Sequence, residues 1–399
     1  MNGPEDAIYL DYAATTPMLP EAAEAAREAS LRYPANPESQ HAAGREARRA
    51  LEEARDRIAE LLGASTSGPK PDQVVFTSGG TESNNLAVLG LTDPAAGAGH
   101  VVTTAIEHPA VGEPIDRLAQ HGGGVDRVAP GLDGCVAADA VTGRLRPETQ
   151  LASVMLVNNE TGSIQPVPEI AAACRAQGVL MHTDASQAVG KIPVRFSDLG
   201  LDALSCAAHK FHGPKGVGLL LLRHGLSPRP TLLGGHQQAG VRPGTENVAL
   251  AVGMRVALEA WHSEQDRITA RITRLRERFE AAIAAEDEGV CFLGDPARRC
   301  PHIASVAFPG LDRQALAMAL DAAGVACSTG SACASGSSEP SPVLAAMGLP
   351  EELLRGAVRF SFGRYTTESD IDRAAVQIVS ISRRLRGLPE AQKFASAPP

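Results

Sequence analysis

The sequence predicts an α/β fold: a large unit built on a mostly parallel sheet flanked by helices, followed by a smaller α/β unit. Three observations carry that reading. Short apolar runs alternate with helical stretches through roughly the first 250 residues, a long charged helical stretch then interrupts them, and a shorter set of strands and helices follows. At 399 residues the chain also exceeds what one core usually serves.

From Glu21 to about Gly63 the pattern is helical, with Ala47, Leu51, Ala54, Ile58 and Leu61 on one face and Gly63 at the C-cap position. Strands are expected at Gln73–Thr77, His100–Thr104, Val125–Ala129, Leu151–Val157, Val179–Thr183, Ala203–Cys206 and Gly216–Leu222. Such alternation implies a sheet covered on both faces, and ligands of such sheets sit outside the carboxyl ends of the strands. The polar residues of interest follow strand ends: Thr81 after Phe76, Asn159 after Val157, Asp184 after His182 and Lys210 after Cys206. Near Thr245–Glu246 the texture changes, and the Arg- and Glu-rich stretch from Asn247 to Glu286 reads as a helical connector. Beyond it, strands are expected at Ile303–Phe308, Val325–Cys327 and Ala357–Ser361, with helices at Arg313–Ala323 and Glu368–Leu385.

Composition excludes several classes. A hydrophobic fraction of 44% with 21% charged residues is that of an ordinary soluble domain. The net charge of −9 argues against direct nucleic-acid binding, although an acidic body can meet a basic protein partner. Met1–Leu10 lacks a signal-peptide pattern, and no apolar run approaches a membrane span. The seven cysteines show no metal-type pairing; the closest, Cys327 and Cys333, have an unsuitable spacing for zinc. A reduced, cytoplasmic protein with free thiols and no metal site is expected.

Three constellations point to chemistry. Thr77-Ser-Gly-Gly-Thr-Glu-Ser-Asn84 runs from a strand into a helix through small residues, leaving backbone N–H groups at a positive helix terminus. Gly79 and Gly80 permit close approach of a phosphate and Thr81 adds a hydroxyl, though a plain N-cap with a tight turn has the same sequence. Asp184, in His182-Thr-Asp-Ala-Ser-Gln-Ala188, is a carboxylate at a strand end, a place also common for helix caps. Lys210, in Ala208-His-Lys-Phe-His-Gly-Pro-Lys-Gly216, is either a solvated lysine or a Schiff-base lysine. Together they supply what pyridoxal 5′-phosphate (PLP) needs: an anion cup, a carboxylate for its ring nitrogen and an amine for its aldehyde.

With these motifs the sequence resembles the class V aminotransferase group of fold type I PLP-dependent transferases, and within it the group I (NifS/IscS-type) cysteine desulfurases. Tyr9-Leu-Asp-Tyr-Ala-Ala-Thr-Thr-Pro17 is similar to the family's opening motif, and Asn36-Pro with His41 to its following loop. Glu107-His108, Val157-Asn-Asn-Glu-Thr-Gly162, Arg242-Pro-Gly-Thr-Glu-Asn247 and Val358-Arg-Phe-Ser-Phe-Gly-Arg364 continue the match. Gly330-Ser-Ala-Cys333, followed by Glu339-Pro-Ser341, is similar to the catalytic-loop signature.

The resemblance implies a large PLP-binding domain over residues 18–250 and a small domain formed by 1–17 and 251–399, which carries the catalytic cysteine. It implies that Lys210 binds the cofactor covalently, that Asp184 pairs with the ring nitrogen, and that His108 stacks on the ring and helps proton transfer. Asn159 and Gln187 would reach the phenolic oxygen; Gly80, Thr81 and His209 would hold the phosphate, with Thr245 reaching it from the partner subunit of a homodimer. Arg359 would pair with the substrate α-carboxylate, assisted by Asn36, and Cys333 would be the nucleophile. The implied activity converts L-cysteine to L-alanine and places the sulfur on Cys333 as a persulfide. A protein acceptor would then take it, such as an iron–sulfur scaffold or a carrier for tRNA thiolation or biosynthesis. Two positions depart from the family pattern: Ala207 stands where a phosphate-binding serine is usual, and His236-Gln-Gln-Ala-Gly240 lacks the usual arginine.

Alternatives are another enzyme of this fold, such as a C–S lyase or aminotransferase, or a non-catalytic scaffold in a sulfur-transfer complex. The former have no need of a thiol on a Gly/Ser-rich loop, and the latter no need of Lys210, Asp184, His108 and Cys333 together. Among the remaining cysteines, Cys174 and Cys206 are expected in the core. Cys327 is expected as a buried strand residue rather than a second redox thiol.

Overall fold

A computed structural model describes residues 7–93, 99–330 and 340–387. Its centre is a seven-stranded sheet of β2 (Gln73–Thr77), β3 (His100–Thr104), β4 (Gly124–Val128), β5 (Thr149–Ser153), β6 (Leu180–Asp184), β7 (Ala203–Ala207) and β8 (Gly218–Leu222). β1 (Ile8–Tyr9) lies outside it. The strand order is β2-β8-β7-β6-β5-β3-β4, and only β8 runs against the others. All seven expected strands therefore join one sheet. Its inner strands are apolar on both faces: every residue of β7 and of β8, including Leu219–Leu222, is buried. Helices must cover both sides, and the helix Gly80–Leu91 crosses one face over β5 to β8.

The helical stretch expected from Glu21 to Gly63 is two helices, Pro20–Arg32 and Ala42–Leu61. Pro34 and Pro37 lie in the break, where a proline ring and its missing N–H oppose helix continuation. His41 restarts the helix by accepting from the N–H of Gly44 through Nδ1. The connector likewise divides, into Val248–His262 and Gln265–Glu286. The first packs on the two N-terminal helices and the second on the C-terminal elements.

The C-terminal elements form a three-stranded antiparallel sheet of β9 (Cys291–Leu293), β10 (Ile303–Ala307) and β12 (Ala357–Ser361), in the order β12-β10-β9. Helices Arg313–Ala322 and Glu368–Arg386 pack together beside it, and the latter opens with a capping box of Thr367 and Asp370. Phe279 meets Phe360 and Phe362 with ring centroids 5.0 and 5.2 Å apart. β11 (Val325–Ala326) pairs in parallel with β1, so the N-terminal segment begins on the C-terminal unit. It then turns across the large sheet, where Thr16 N donates to the carbonyl of His209 at 2.9 Å.

Candidate active site

The carboxyl ends of β2, β3, β5, β6 and β7 face one cavity of ≈ 220 Å³. Nine of the residues expected from sequence line it: Gly80, Thr81, His108, Asn159, Asp184, Gln187, His209, Lys210 and Arg359. Each except Arg359 comes from a strand end of the large sheet or the turn beyond it. Arg359 comes from β12 and closes the cavity from the C-terminal side.

Lys210 follows β7 on a single 3₁₀ turn, and its Nζ donates to the carbonyls of Ala13 and Ala14, each at 2.8 Å. The next residue, Phe211, packs so closely on Gly190 (φ +73°) that a Cβ there would lie 2.2 Å from the Phe211 Cβ. This contact needs glycine and fixes the chain just past the lysine. Asp184, the last residue of β6, is 7% exposed. Its Oδ2 accepts from Asn84 Nδ2 at 2.7 Å and its Oδ1 from the N–H of Ser186 at 2.9 Å. Behind it, the ring of His182 sits between Ser153 and Ser205, and burial lowers its pKa to about 4, which keeps it neutral.

The anion cup is open because residue 80 is glycine. A Cβ there would stand 3.3 Å from Ser186 Oγ and 3.4 Å from the Ala207 methyl. His209 beside it binds Thr15 Oγ1 through Nδ1 at 3.0 Å. Burial, then the positive charges of Lys210, Lys215 and Lys191, lowers its pKa to about 4. His108 caps the helix Pro109–Gln120, its Nδ1 accepting from the N–H of Ala110 at 3.0 Å. The cap places the neutral ring's proton on Nε2, and burial lowers its pKa. Gln187 donates to the carbonyl of Ala13 at 2.9 Å, while its Oε1 meets His302 Nε2 at 3.1 Å.

Arg359 is 3% exposed. It donates to Asp11 Oδ1 and to the carbonyl of Asn159, each at 2.8 Å, and its buried Nε has no hydrogen-bond partner among the described residues. Arg359 lines the cavity, and a guanidinium there suits a carboxylate ligand.

Thr245 and Asn36 are exposed and do not line the cavity; Asn36 Oδ1 accepts from the N–H of Glu38. Cys333 lies outside the described residues. Cys174 and Cys206 are core thiols, and Cys327 is largely enclosed on the C-terminal side, its thiol pushed up to about 12 by burial. Such a group is a poor source of thiolate. Asn84, Ser186, Met155 and the carbonyls of Ala13 and Ala14 were not among the expected site residues. Asn84 and Ser186 stand within quoted motifs, whereas a backbone carbonyl carries no residue signature. No cluster of three or more metal-ligating side chains occurs among the described residues.

This arrangement is that of a PLP site, and residues 8–374 match the family "Aminotransferase class-V". The chain belongs to that family. It is 41% identical over 380 residues to cysteine desulfurase IscS of Dictyoglomus turgidum, covering 95% of both chains. It is 44% identical over 380 residues to the IscS-like cysteine desulfurase of Mycobacterium tuberculosis, covering 93% of this chain and 95% of the relative. Among solved structures, a NifS-like protein superposes with a TM-score of 0.87 at 32% identity, covering 95% of this chain and all of the other. The protein is a PLP-dependent cysteine desulfurase of fold type I. The cavity fits that cofactor: an amine at Lys210, a carboxylate at Asp184 and a cup that a single Cβ at residue 80 would crowd.

Proposed function

We propose that Lys210, Asp184, His108 and Arg359 carry out the desulfurase chemistry in this cavity, with Cys333 as the sulfur acceptor. The observation that carries the reading is the convergence of lysine, aspartate, neutral histidine and a partly unpartnered buried arginine on one cavity. Lys210 would hold the cofactor aldehyde, and Asp184, fixed by Asn84 and Ser186, would pair with the ring nitrogen. Gly80, Thr81, His209 and Ser186 would hold the phosphate; Asn159 and Gln187 would reach the phenolic oxygen. When bound, PLP supplies an electron-withdrawing ring that accepts the electron pair left as bonds to the substrate carbon skeleton break. Arg359 orients the cysteine carboxylate through two N–H groups. The Lys210 amine would take the substrate α-proton, with His108 Nε2–H as a nearby proton donor. The Cys333 thiolate attacks the substrate sulfur, the carbon–sulfur bond breaks, and protonation at carbon leaves alanine and a Cys333 persulfide.

The exposure of Thr245, with Leu232 at 50% and Leu233 at 91% nearby, supports a homodimer in which a second copy completes the phosphate site. The pairing of β1 with β11 supports grouping the N-terminal segment with the C-terminal elements, apart from a large unit that begins near residue 18 and, because Val248–His262 packs on Pro20–Arg32 and Ala42–Leu61, extends past residue 250. A protein acceptor in iron–sulfur assembly, tRNA thiolation or biosynthesis receives the sulfur in the cytoplasm. No helix among the described residues is long and apolar enough to cross a membrane.

Incubating the holoenzyme with cysteine and a thiol reductant tests the reading. Sulfide and alanine should appear in equal amounts, and Cys333→Ser should produce neither. Pyruvate and ammonia in place of alanine would identify a C–S lyase.

A further inference from the structure

Outside the cofactor contacts lies a buried carboxyl that the chemistry above does not use. Glu160, in the turn after β5, is 2% exposed. Its backbone is fixed by Asn158, whose Oδ1 accepts from the N–H groups of Glu160 and Thr161, each at 2.9 Å. Asn158 Nδ2 in turn donates to the carbonyl of Ile106 at 3.1 Å. The turn is therefore rigid, and it aims the Glu160 side chain away from the sheet toward the C-terminal unit.

Two stretches of the chain meet there. Ser341 Oγ lies 2.5 Å from Glu160 Oε2, a buried contact between residues 181 apart in sequence. The same Oγ accepts from the N–H of Leu344 at 3.2 Å, capping the helix Pro342–Ala346. Its single hydrogen is thus committed to Glu160. From the other side comes Gly330, with φ +135°: a Cβ built there would lie 3.2 Å from Glu160 Oε2 and 3.7 Å from Ser341 Cβ. The positive φ and the close approach both call for glycine. Two residues earlier, Ser328 exchanges two backbone hydrogen bonds with Arg359, at 3.1 and 2.7 Å. Burial raises the Glu160 pKa, while Ser341, Arg359 and Arg313 favour its charged form.

We propose that Glu160 is a positioning residue for sulfur transfer: it bonds Ser341 and packs against Gly330, the residues that flank the segment carrying Cys333. The proposal rests on Cys333 being the nucleophile. Three peptide units extend at most about 11 Å, so fixing Gly330 fixes the origin from which the thiol reaches the substrate. Releasing one end enlarges the space the thiol samples and lowers its effective concentration at the substrate sulfur. Cofactor contacts through Lys210 and Asp184 involve other groups, so cofactor binding is unaffected, and an effect relayed through the Arg359 charge would appear in KM.

The test uses holoenzyme carrying Glu160→Ala, Glu160→Gln or Ser341→Ala, with Cys333→Ser as the control. Expected for Glu160→Ala and Ser341→Ala is a normal visible cofactor band, a normal change in that band on adding cysteine, and an unchanged KM. Alanine should form about tenfold or more slowly, the scale of losing one charge-assisted hydrogen bond. Glu160→Gln keeps an acceptor for Ser341 and should recover to within about threefold of wild type. A wild-type rate in Glu160→Ala, a Gln variant as slow as the Ala variant, or parallel loss of the cysteine-induced band change and the rate would each overturn the proposal. If Glu160→Ala does not fold, Ser341→Ala, which removes a single hydroxyl, decides alone. Alanine made at the wild-type rate by Cys333→Ser marks failure of the nucleophile assignment instead.

Discussion

The two walls of the cavity are built differently. On the large-sheet wall each chemical group is held by at least one short contact to a neutral neighbour: Asp184 by Asn84 and Ser186, Gln187 by Ala13, His108 by Ala110, and Lys210 by two carbonyls. On the C-terminal wall Arg359 is held by a charged partner, Asp11, across 348 residues as well as by the Asn159 carbonyl, and Ser341 meets the Glu160 carboxyl across 181. A wall whose groups are held by neutral partners keeps a cofactor in one pose, and the loss of one such partner is modest. A guanidinium held by a charged partner is sensitive to that partner, and a substrate carboxylate can compete for it. One wall suits a resident group, the other suits traffic.

The largest expected effect lies where no neighbour can substitute. Lys210→Ala should lose alanine formation by roughly a thousandfold or more, because the covalent attachment and the α-proton acceptor go together. Loss of the visible cofactor band with an intact thermal transition checks this; an unchanged band would remove Lys210 from its role.

On the C-terminal wall, Arg359→Lys keeps the charge but not the planar fork. Its KM for cysteine should rise about 10- to 100-fold with the cofactor band unaltered. An equal loss of cofactor affinity would erase the distinction between the walls.

A smaller effect is expected in the phosphate cup. Ala207→Ser adds one neutral hydrogen bond, worth about 0.5–1.5 kcal/mol, and should tighten PLP roughly 2- to 10-fold in equilibrium dialysis. Weaker binding would mean that Ser186, which already flanks Gly80, leaves no room for a second hydroxyl.

The last effect is on stability rather than activity, and it is one of pH. Glu107 accepts from Thr104 Oγ1 and from the N–H of Met155, while its buried Oε2 has no hydrogen-bond partner among the described residues. Burial pushes its carboxyl up to about 8 from an ordinary 4.5. The folded chain thus keeps a proton that the unfolded chain releases between those values. This group's contribution to stability is greatest below pH 4.5 and declines as pH rises to about 8. Glu107→Gln should flatten that decline in urea unfolding at pH 5 and pH 8; an unchanged slope would show Glu107 to be ionised.

Much of the large-sheet wall was legible in sequence. Its strands are apolar runs bounded by turn residues, and its chemical groups stand at strand ends, as with Asp184 and Lys210. The short β1 and β9 carry too few residues to show a period, and the helix break at Pro34 and Pro37 was hidden by apolar spacing continuing beyond it. The C-terminal wall was harder to read. Arg359, Asp11 and Glu160 all stand in recognisable motifs, but nothing local says that Asp11 meets Arg359 or that Glu160 meets Ser341. Contacts of such sequence separation are set by how the units pack. The role of Cys333 rests on its motif, because it lies outside the described residues.

The most direct test of the central claim is to find the sulfur. The holoenzyme is given cysteine without reductant, alkylated at once, digested and examined by mass spectrometry. The peptide containing Cys333 should carry one additional sulfur, in an amount matching the alanine released in the first turnover. Additional sulfur on Cys327 instead, together with full activity of Cys333→Ser, would contradict the account.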